Sequence, residues 1–209
     1  MKILNLYAGL GGNRKLWKNC EVTAIENNFE IAEIYSHFFP QDNLIIADAH
    51  QYLLENFNEY DFIWSSPPCQ SHNSFRQNIC VRFRGTKPVY PDMALYQEII
   101  FLRANYKKLW IVENVKPYYE PLINPSFQLA RHLFWSSHII KTKKFPTSKL
   151  RSMNKISDLE KYYNINLSEF KIENKRQILR NCVYPEVGNY IYKNLGQQDK
   201  LIQKFFGQT

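Results

Sequence analysis

The feature that most constrains this chain is a recurrence along its first half. Five short apolar runs, KILNLY (2–7), EVTAIE (21–26), NLIIAD (43–48), DFIWSS (61–66) and KLWIVENV (108–115), are set apart by stretches with helical patterning. Asn28 to Phe38 puts Ile31, Ile34, Tyr35 and Phe38 on one helical face, and Ala49 to Asn56 reads as a second helix. Pro91 to Ala104, with Met93, Tyr96, Ile99, Ile100 and Leu102, reads as a third. Strands alternating with helices at this spacing build βαβ units, so the fold class is α/β with a doubly wound, mostly parallel sheet. A short helix through Lys15 and Trp17 is expected after the first run, and a polar, basic loop from Cys69 to about Pro88. Arg131 to Ile140, RHLFWSSHII, is expected to add antiparallel strand.

Charge divides the rest of the chain. Residues 1–140 carry 13 Lys/Arg and 13 Asp/Glu, whereas residues 141–180 carry 11 Lys/Arg and 4 Asp/Glu. A neutral main domain (1–140), a small basic segment (141–175) and a C-terminal helix returning to that domain (176–209) are the expected divisions. A basic attachment on a neutral body suits a polyanionic partner such as nucleic acid, although a solubilising surface has the same composition. No apolar run has the length of a membrane span, and the first residues do not read as a signal peptide. A cytoplasmic address and a monomer are expected. The cysteines Cys20, Cys69, Cys80 and Cys182 form no CxxC pair, so no metal is expected.

Three of the seven glycines are Gly9, Gly11 and Gly12, where the first strand turns. Ligands of open α/β sheets bind beyond the carboxyl ends of the strands, near such a turn. Glu26 ends the second run, where an acid can hold both hydroxyls of a ribose, and Asp48 ends the third, beside an adenine. Together they fit an adenosine-type cofactor. Each acid also fits a helix N-cap or first turn, and the glycines alone leave a nicotinamide dinucleotide open. No GxxxxGK[ST] is present, which speaks against a nucleoside triphosphatase.

The most informative segment is Ser66-Pro67-Pro68-Cys69-Gln70. Two prolines stiffen the exit of the fourth strand and remove two backbone donors. A cysteine fixed at the lip of a cofactor pocket is a candidate nucleophile; a half-buried loop thiol is the plainer alternative. The series NLYAGLGG, AIEN, ADAH, SSPPCQS and VENV, in this order, resembles the motifs of the DNA cytosine-5 methyltransferases over residues 3–140. Compact members of this kind resemble phage-encoded enzymes.

The resemblance implies a Rossmann-like S-adenosylmethionine-dependent methyltransferase fold, S-adenosyl-L-methionine as cofactor and double-stranded DNA as partner. It assigns Cys69 the attack on the base, and Glu113 the bonds to N3 and the exocyclic amine. Arg131, in the segment Gln128-Leu129-Ala130-Arg131-His132, takes base orientation and thiolate support. There the family has Gln-x-Arg-x-Arg, and this chain keeps one arginine. The resemblance places Tyr7, Ala8, Gly9, Gly11, Gly12, Glu26, Asn27, Asp48, Ala49 and Pro67 around the cofactor, with Asn189 added from a weaker late motif.

The chemistry is consistent with these residue types. Carbon 5 of cytosine is too weak a nucleophile to take a methyl group directly, and thiolate addition at carbon 6 makes it enamine-like. A protonated carboxyl at N3 stabilises the charge that develops. The thiolate needs a positive or hydrogen-bonding environment to form near neutral pH. The base must leave the duplex to reach Cys69. Arg76, Arg82, Arg84 and Lys87, with no acid between Gln70 and Pro91, and Lys141, Lys143 and Lys144 are the candidate phosphate contacts. An enzyme acting on RNA, or a nucleic-acid-binding pseudoenzyme that needs a partner, shares most of these features.

Overall fold

The computed structural model describes residues 1–146 and 153–206, the last eleven of these by backbone alone. Its centre is a seven-stranded sheet: β1 (Lys2–Leu6), β2 (Glu21–Glu26), β3 (Asn43–Ile46), β4 (Phe62–Ser65), β5 (Leu109–Val115), β6 (Phe127–Leu129) and β7 (His132–Ser136). The order is β3-β2-β1-β4-β5-β7-β6. The first five strands are parallel, and β7 runs antiparallel to both β5 and β6. This is the doubly wound sheet with an antiparallel edge that the apolar runs imply. The order reverses between β1 and β4, the crevice where open α/β sheets bind ligands.

Strand alternation splits the core in two. Leu4, Leu6, Ile25, Ile63, Trp110 and Val112 pack against α2 (Ala49–Asn56) and, beyond a short intervening helix described below, α4 (Ala94–Asn105). Ile3, Phe62, Trp64 and Ile111 face the other way, onto Trp17 and onto Val187, Ile191 and Leu195 of a long late helix. Helix α1 (Phe29–Phe38) buries Tyr35 against Ala8, Ala24 and Phe39. Asn28 caps α1 by accepting from Ile31 N, and Asp48 caps α2 by accepting from Gln51 N.

Several expectations are corrected. No helix follows β1. Residues 9–17 form successive turns held by tertiary bonds: Asn13 Nδ2 donates to Asn5 Oδ1 at 2.7 Å, and the Arg14 guanidinium grips both Asp42 oxygens. The expected loop after Cys69 is helical from Ser74 to Arg84, through a π-helical stretch over Arg76–Val81 and the short α3 (Arg82–Arg84). Gly85, in the left-handed region at φ 65°, stops it. Helix α4 begins at Ala94, whose N–H is capped by Asp92, and its Met93 and Ile100 flanks are exposed.

Beyond β7 the basic segment carries more structure than its weak periodicity suggests, with residues 147–152 lying outside the described residues. Helix α5 (Ile156–Tyr163) and the turn after it bury Leu159, Tyr163, Ile165 and Leu167 against Leu10, Ile34 and Leu179. Helix α6 (Lys175–Asn181) follows, and α7 (Pro185–Phe206) closes the described chain. Among the described residues no helix is long and apolar enough to cross a membrane.

Candidate active site

Register brings the site together. Ile45, Ile25, Leu6, Ser65 and Val112 form one row across β3, β2, β1, β4 and β5. The next residues along the strands are Ile46, Glu26, Tyr7, Ser66 and Glu113, so the chemically interesting side chains emerge along a single edge of the sheet.

On the β2 side, Glu26 is 8% exposed and both its oxygens are engaged. Oε2 accepts from Gly9 N and Oε1 from Asn28 N, each at 2.9 Å. Glu26 therefore holds the turn after β1 in place. The glycines of that turn have different surroundings. A side chain on Gly9 would meet only Tyr7 O, at 3.9 Å. One on Gly11 would strike Phe39 at 2.3 Å, and one on Gly12 would strike Val183 O at 2.5 Å. Gly11 and Gly12 thus have a packing requirement of their own, whereas Gly9 borders open space. Ala8 and Ala49 are buried, while Asn27 and Asp48 are exposed. From α7, Gly188 lies against Asn13, and the next residue, Asn189, buries an Oδ1 atom that has no hydrogen-bond partner. The carboxylate of Glu26 and the open Gly9 lie together at the turn after β1, and an acceptor with lone pairs to spare beside an unobstructed backbone fits ribose hydroxyls.

On the β4 side, the strand exit is fixed from below and beside. Asn114 Nδ2 donates to Pro67 O at 3.0 Å, which ties the Pro-Pro-Cys exit to β5. His72 N donates to Cys69 O at 3.1 Å, and Tyr118 N donates to His72 O at 3.1 Å. The buried His72 ring also pairs through Nδ1 with Tyr119 Oη at 2.5 Å. The half-buried Cys69 is thereby held between β4 and the chain leaving β5.

Glu113 is buried, and that burial raises its carboxyl to about 7, against the hydrogen bond from Ser66 and the nearby Arg131 charge. Burial, then Glu113, pushes the Cys69 thiol up to about 11, with Arg131 pulling it down. The three residues are thus electrostatically linked, but the resting thiol is not activated. The expected positive environment is outweighed by desolvation. A proton on Glu113 removes one of the two opposing effects.

Arg131 sits with Ala130 in the two-residue turn of the β6–β7 hairpin. Its Nη2 donates to the backbone oxygens of Arg180 and Cys182, so the hairpin tip is anchored to the end of α6. His132 comes nearer to Glu113: its Nε2 lies 3.5 Å from Oε1, diagonal to Glu113 in the β5–β7 ladder. Burial, and then Arg131, lowers the imidazole well below its ordinary range, so the ring is neutral.

Ser66, Asn114, His132 and the His72–Tyr119 strap were not singled out from sequence. Their signal was adjacency, since each lies within a few residues of a motif residue. The basic candidates fall elsewhere. Arg82, Arg84 and Lys87 are exposed, Arg76 donates to Lys87 O at 3.3 Å, and Phe83 and Tyr90 stand out at 80% and 96% exposure. Lys141, Lys143 and Lys144 are exposed, with Lys143 over the Phe145 and Tyr190 rings. Among the described residues no His/Cys/Asp/Glu group is placed to hold a metal ion.

The chain matches a family model described as C-5 cytosine-specific DNA methylase over residues 1–121. Among curated proteins it is similar to the tRNA (cytosine(38)-C(5))-methyltransferase of Mus musculus, 34% identical over 123 residues, 56% of this chain and 29% of that protein. The enzyme of the same name from Spodoptera frugiperda is 36% identical over 76 residues, 33% of this chain and 23% of that protein. The chain therefore spans less than a third of these curated relatives. A crystal structure of a Spodoptera frugiperda DNMT2 mutant aligns with TM-score 0.38 at 28% identity, over 55% of this chain and 35% of that one. Entamoeba histolytica methyltransferase EhMeth aligns with TM-score 0.35 at 18% identity, over 55% and 38%.

Proposed function

The chain belongs to the C-5 cytosine-specific DNA methylase family, and from that premise we propose that it methylates carbon 5 of cytosine in DNA with Cys69 as the covalent nucleophile. Family membership implies S-adenosylmethionine as the methyl donor, which supplies an electrophilic methyl group on a sulfonium. The observation that carries the proposal is the pairing of Cys69 and Glu113 at the exits of adjacent parallel strands, with the buried Glu113 carboxyl raising the Cys69 thiol. The Cys69 thiolate adds to carbon 6 of a flipped cytosine and breaks the carbon 5–carbon 6 double bond. Carbon 5 takes the methyl group, then loses its proton to a base as the bond from carbon 6 to sulfur breaks and frees the thiolate. Glu113, raised to about 7, holds a proton at N3 and stabilises the charge that addition creates. Arg131 supports the thiolate, and Ser66 and Asn114 hold the carboxyl and the cysteine exit in register. Tyr7, Gly9, Glu26, Asp48 and Asn189 bind the cofactor, and the exposed cations after Cys69 contact phosphates.

A second reading is favoured by the names of the curated relatives, which specify a tRNA cytosine. The catalytic residues serve either polymer. Labelled methyl transfer by the purified chain to duplex DNA and to a tRNA transcript, side by side, separates them. Incorporation into DNA that disappears in Cys69→Ser is the expected result. Incorporation into tRNA alone transfers the proposal to the second reading, and none into either polymer overturns it.

A further inference from the structure

Helix α4 carries an acid on the stripe that faces the core. Leu95, Glu98, Ile99 and Leu102 are all buried, Glu98 at 1% exposure. A buried carboxylate is costly unless its oxygens are satisfied, and these are. Oε1 accepts from Tyr7 Oη at 2.7 Å and faces His50 Nδ1 at 3.0 Å, while Oε2 accepts from Ser65 Oγ at 2.5 Å. The three partners come from three places on the ligand edge of the sheet: the residue after β1, the first turn of α2 and the last residue of β4. Tyr7 has φ 55°, a left-handed conformation that a bulky residue keeps only where its surroundings fix it. Two residues on, Gly9 borders open space; His50 follows Asp48 by two residues, and Ser65 leads into the Pro-Pro-Cys exit. Glu98 itself lies behind these residues.

We propose that Glu98 is a positioning residue of the cofactor site, pinning Tyr7, His50 and Ser65 into the arrangement that S-adenosylmethionine meets. The inference rests on the cofactor reading above and adds a residue from a helix core to it. It also leaves a spectroscopic mark. The hydrogen bond with Glu98 raises the pKa of the partly exposed His50 against the opposing effect of burial. The other charges acting on His50 are Asp48, from the cap of its own helix, and Asp92, from the segment before α4; both act in the same direction. His50 is thus imidazolium below its raised midpoint and loses the charged pair as pH rises through it.

The test uses the whole chain, with calorimetric titration of S-adenosylmethionine and an NMR pH titration of the His50 ring. Glu98→Leu removes all three bonds and weakens cofactor binding by about tenfold or more. Glu98→Gln keeps an acceptor for Tyr7 and His50 without the charge. It restores affinity to within about threefold of the wild type, yet lowers the His50 midpoint. Tyr7→Phe removes one hydroxyl and no volume from the core, so it supplies the same test if Glu98→Leu does not fold; a loss of several-fold is expected. Wild-type affinity in both Glu98→Leu and Tyr7→Phe, or an unmoved His50 midpoint in Glu98→Gln, overturns the proposal. Absence of binding by the folded wild-type chain overturns the cofactor reading itself, and this inference with it.

Discussion

The turn after β1 and the segment after β4 leave the same edge of the sheet and are built in opposite ways. The first is closed. Leu10, Asn13, Arg14 and Trp17 are buried, and Gly12 and Gly188 allow backbone to touch backbone across the chain. The second begins fixed at Pro67 and Cys69 and then opens. From Arg82 to Tyr90 every residue is exposed, five of them cationic or aromatic side chains with no acid among them. Under the proposed function, the difference separates what a small ligand needs from what a polymer needs. A cofactor pocket must exist before its ligand arrives, so its walls are packed against the protein's own core. A surface for nucleic acid keeps its charges and rings in water until the partner covers them.

The comparison is most sharply tested where the second segment is still rigid. Cys69→Ser should lower methyl transfer by at least about a thousandfold while leaving S-adenosylmethionine affinity intact. Calorimetry alongside a transfer assay reads both, and loss of cofactor binding in the folded variant would break the division of labour. Glu113→Gln should lower kcat by roughly a hundredfold. The proton on Glu113 is lost as pH rises through about 7, whereas the Cys69 thiolate gains up to about 11, so the rise of the wild-type rate with pH should level off near 7 for want of the N3 donor. The variant's rate should go on rising with the thiolate. Its Cys69 should also be alkylated by iodoacetamide with a midpoint below the wild-type value of about 11, since a negative neighbour is gone.

Smaller effects distinguish the closed turn from the open segment directly. A Cβ at position 188 would lie 2.2 Å from Asn13 O, and one at 12 would lie 2.5 Å from Val183 O. Gly188→Ala and Gly12→Ala should each cost about 1–3 kcal/mol in urea unfolding. Gly85→Ala meets open space and only the left-handed φ, so about 1 kcal/mol is expected. Equal costs at Gly12 and Gly85 would erase the contrast. Arg82→Ala and Lys87→Ala should change stability by no more than about 0.5 kcal/mol. Each should reduce the salt slope of nucleic-acid binding by about 1.

The parallel strands were legible because both faces are covered, which leaves continuous apolar runs such as Phe62–Ser65 and Leu109–Val112. Cys69 and Glu113 were legible because strand ends fix where their side chains emerge. The helix from Ser74 to Arg84 was not, since it has no buried stripe to create a period. Nor was the unit around α5 and α6, whose core draws Leu159, Ile165, Leu167 and Leu179 from helix, turn and helix in succession. Gly11 and Gly12 invited a ligand explanation because their packing neighbours, Phe39 and Val183, are distant in sequence. Glu98 left a legible trace, an acid at a core position of an otherwise apolar helical stripe, that nothing local explained.

Trp17 donates its ring N–H to Gly188 O at 3.2 Å and packs with Val187 and Ile191, while Leu10 packs with Leu159 and Leu179. A protein made from its amino end synthesises the two halves of these contacts far apart in time. When all five parallel strands have left the ribosome, Trp17 has only its sheet partners Phe62 and Trp64, and Leu10 only Ile34. Their cover is completed only as residues 159–191 emerge, so the nascent molecule passes through a stage with a finished sheet and a half-sealed first turn, open to chaperones and to self-association.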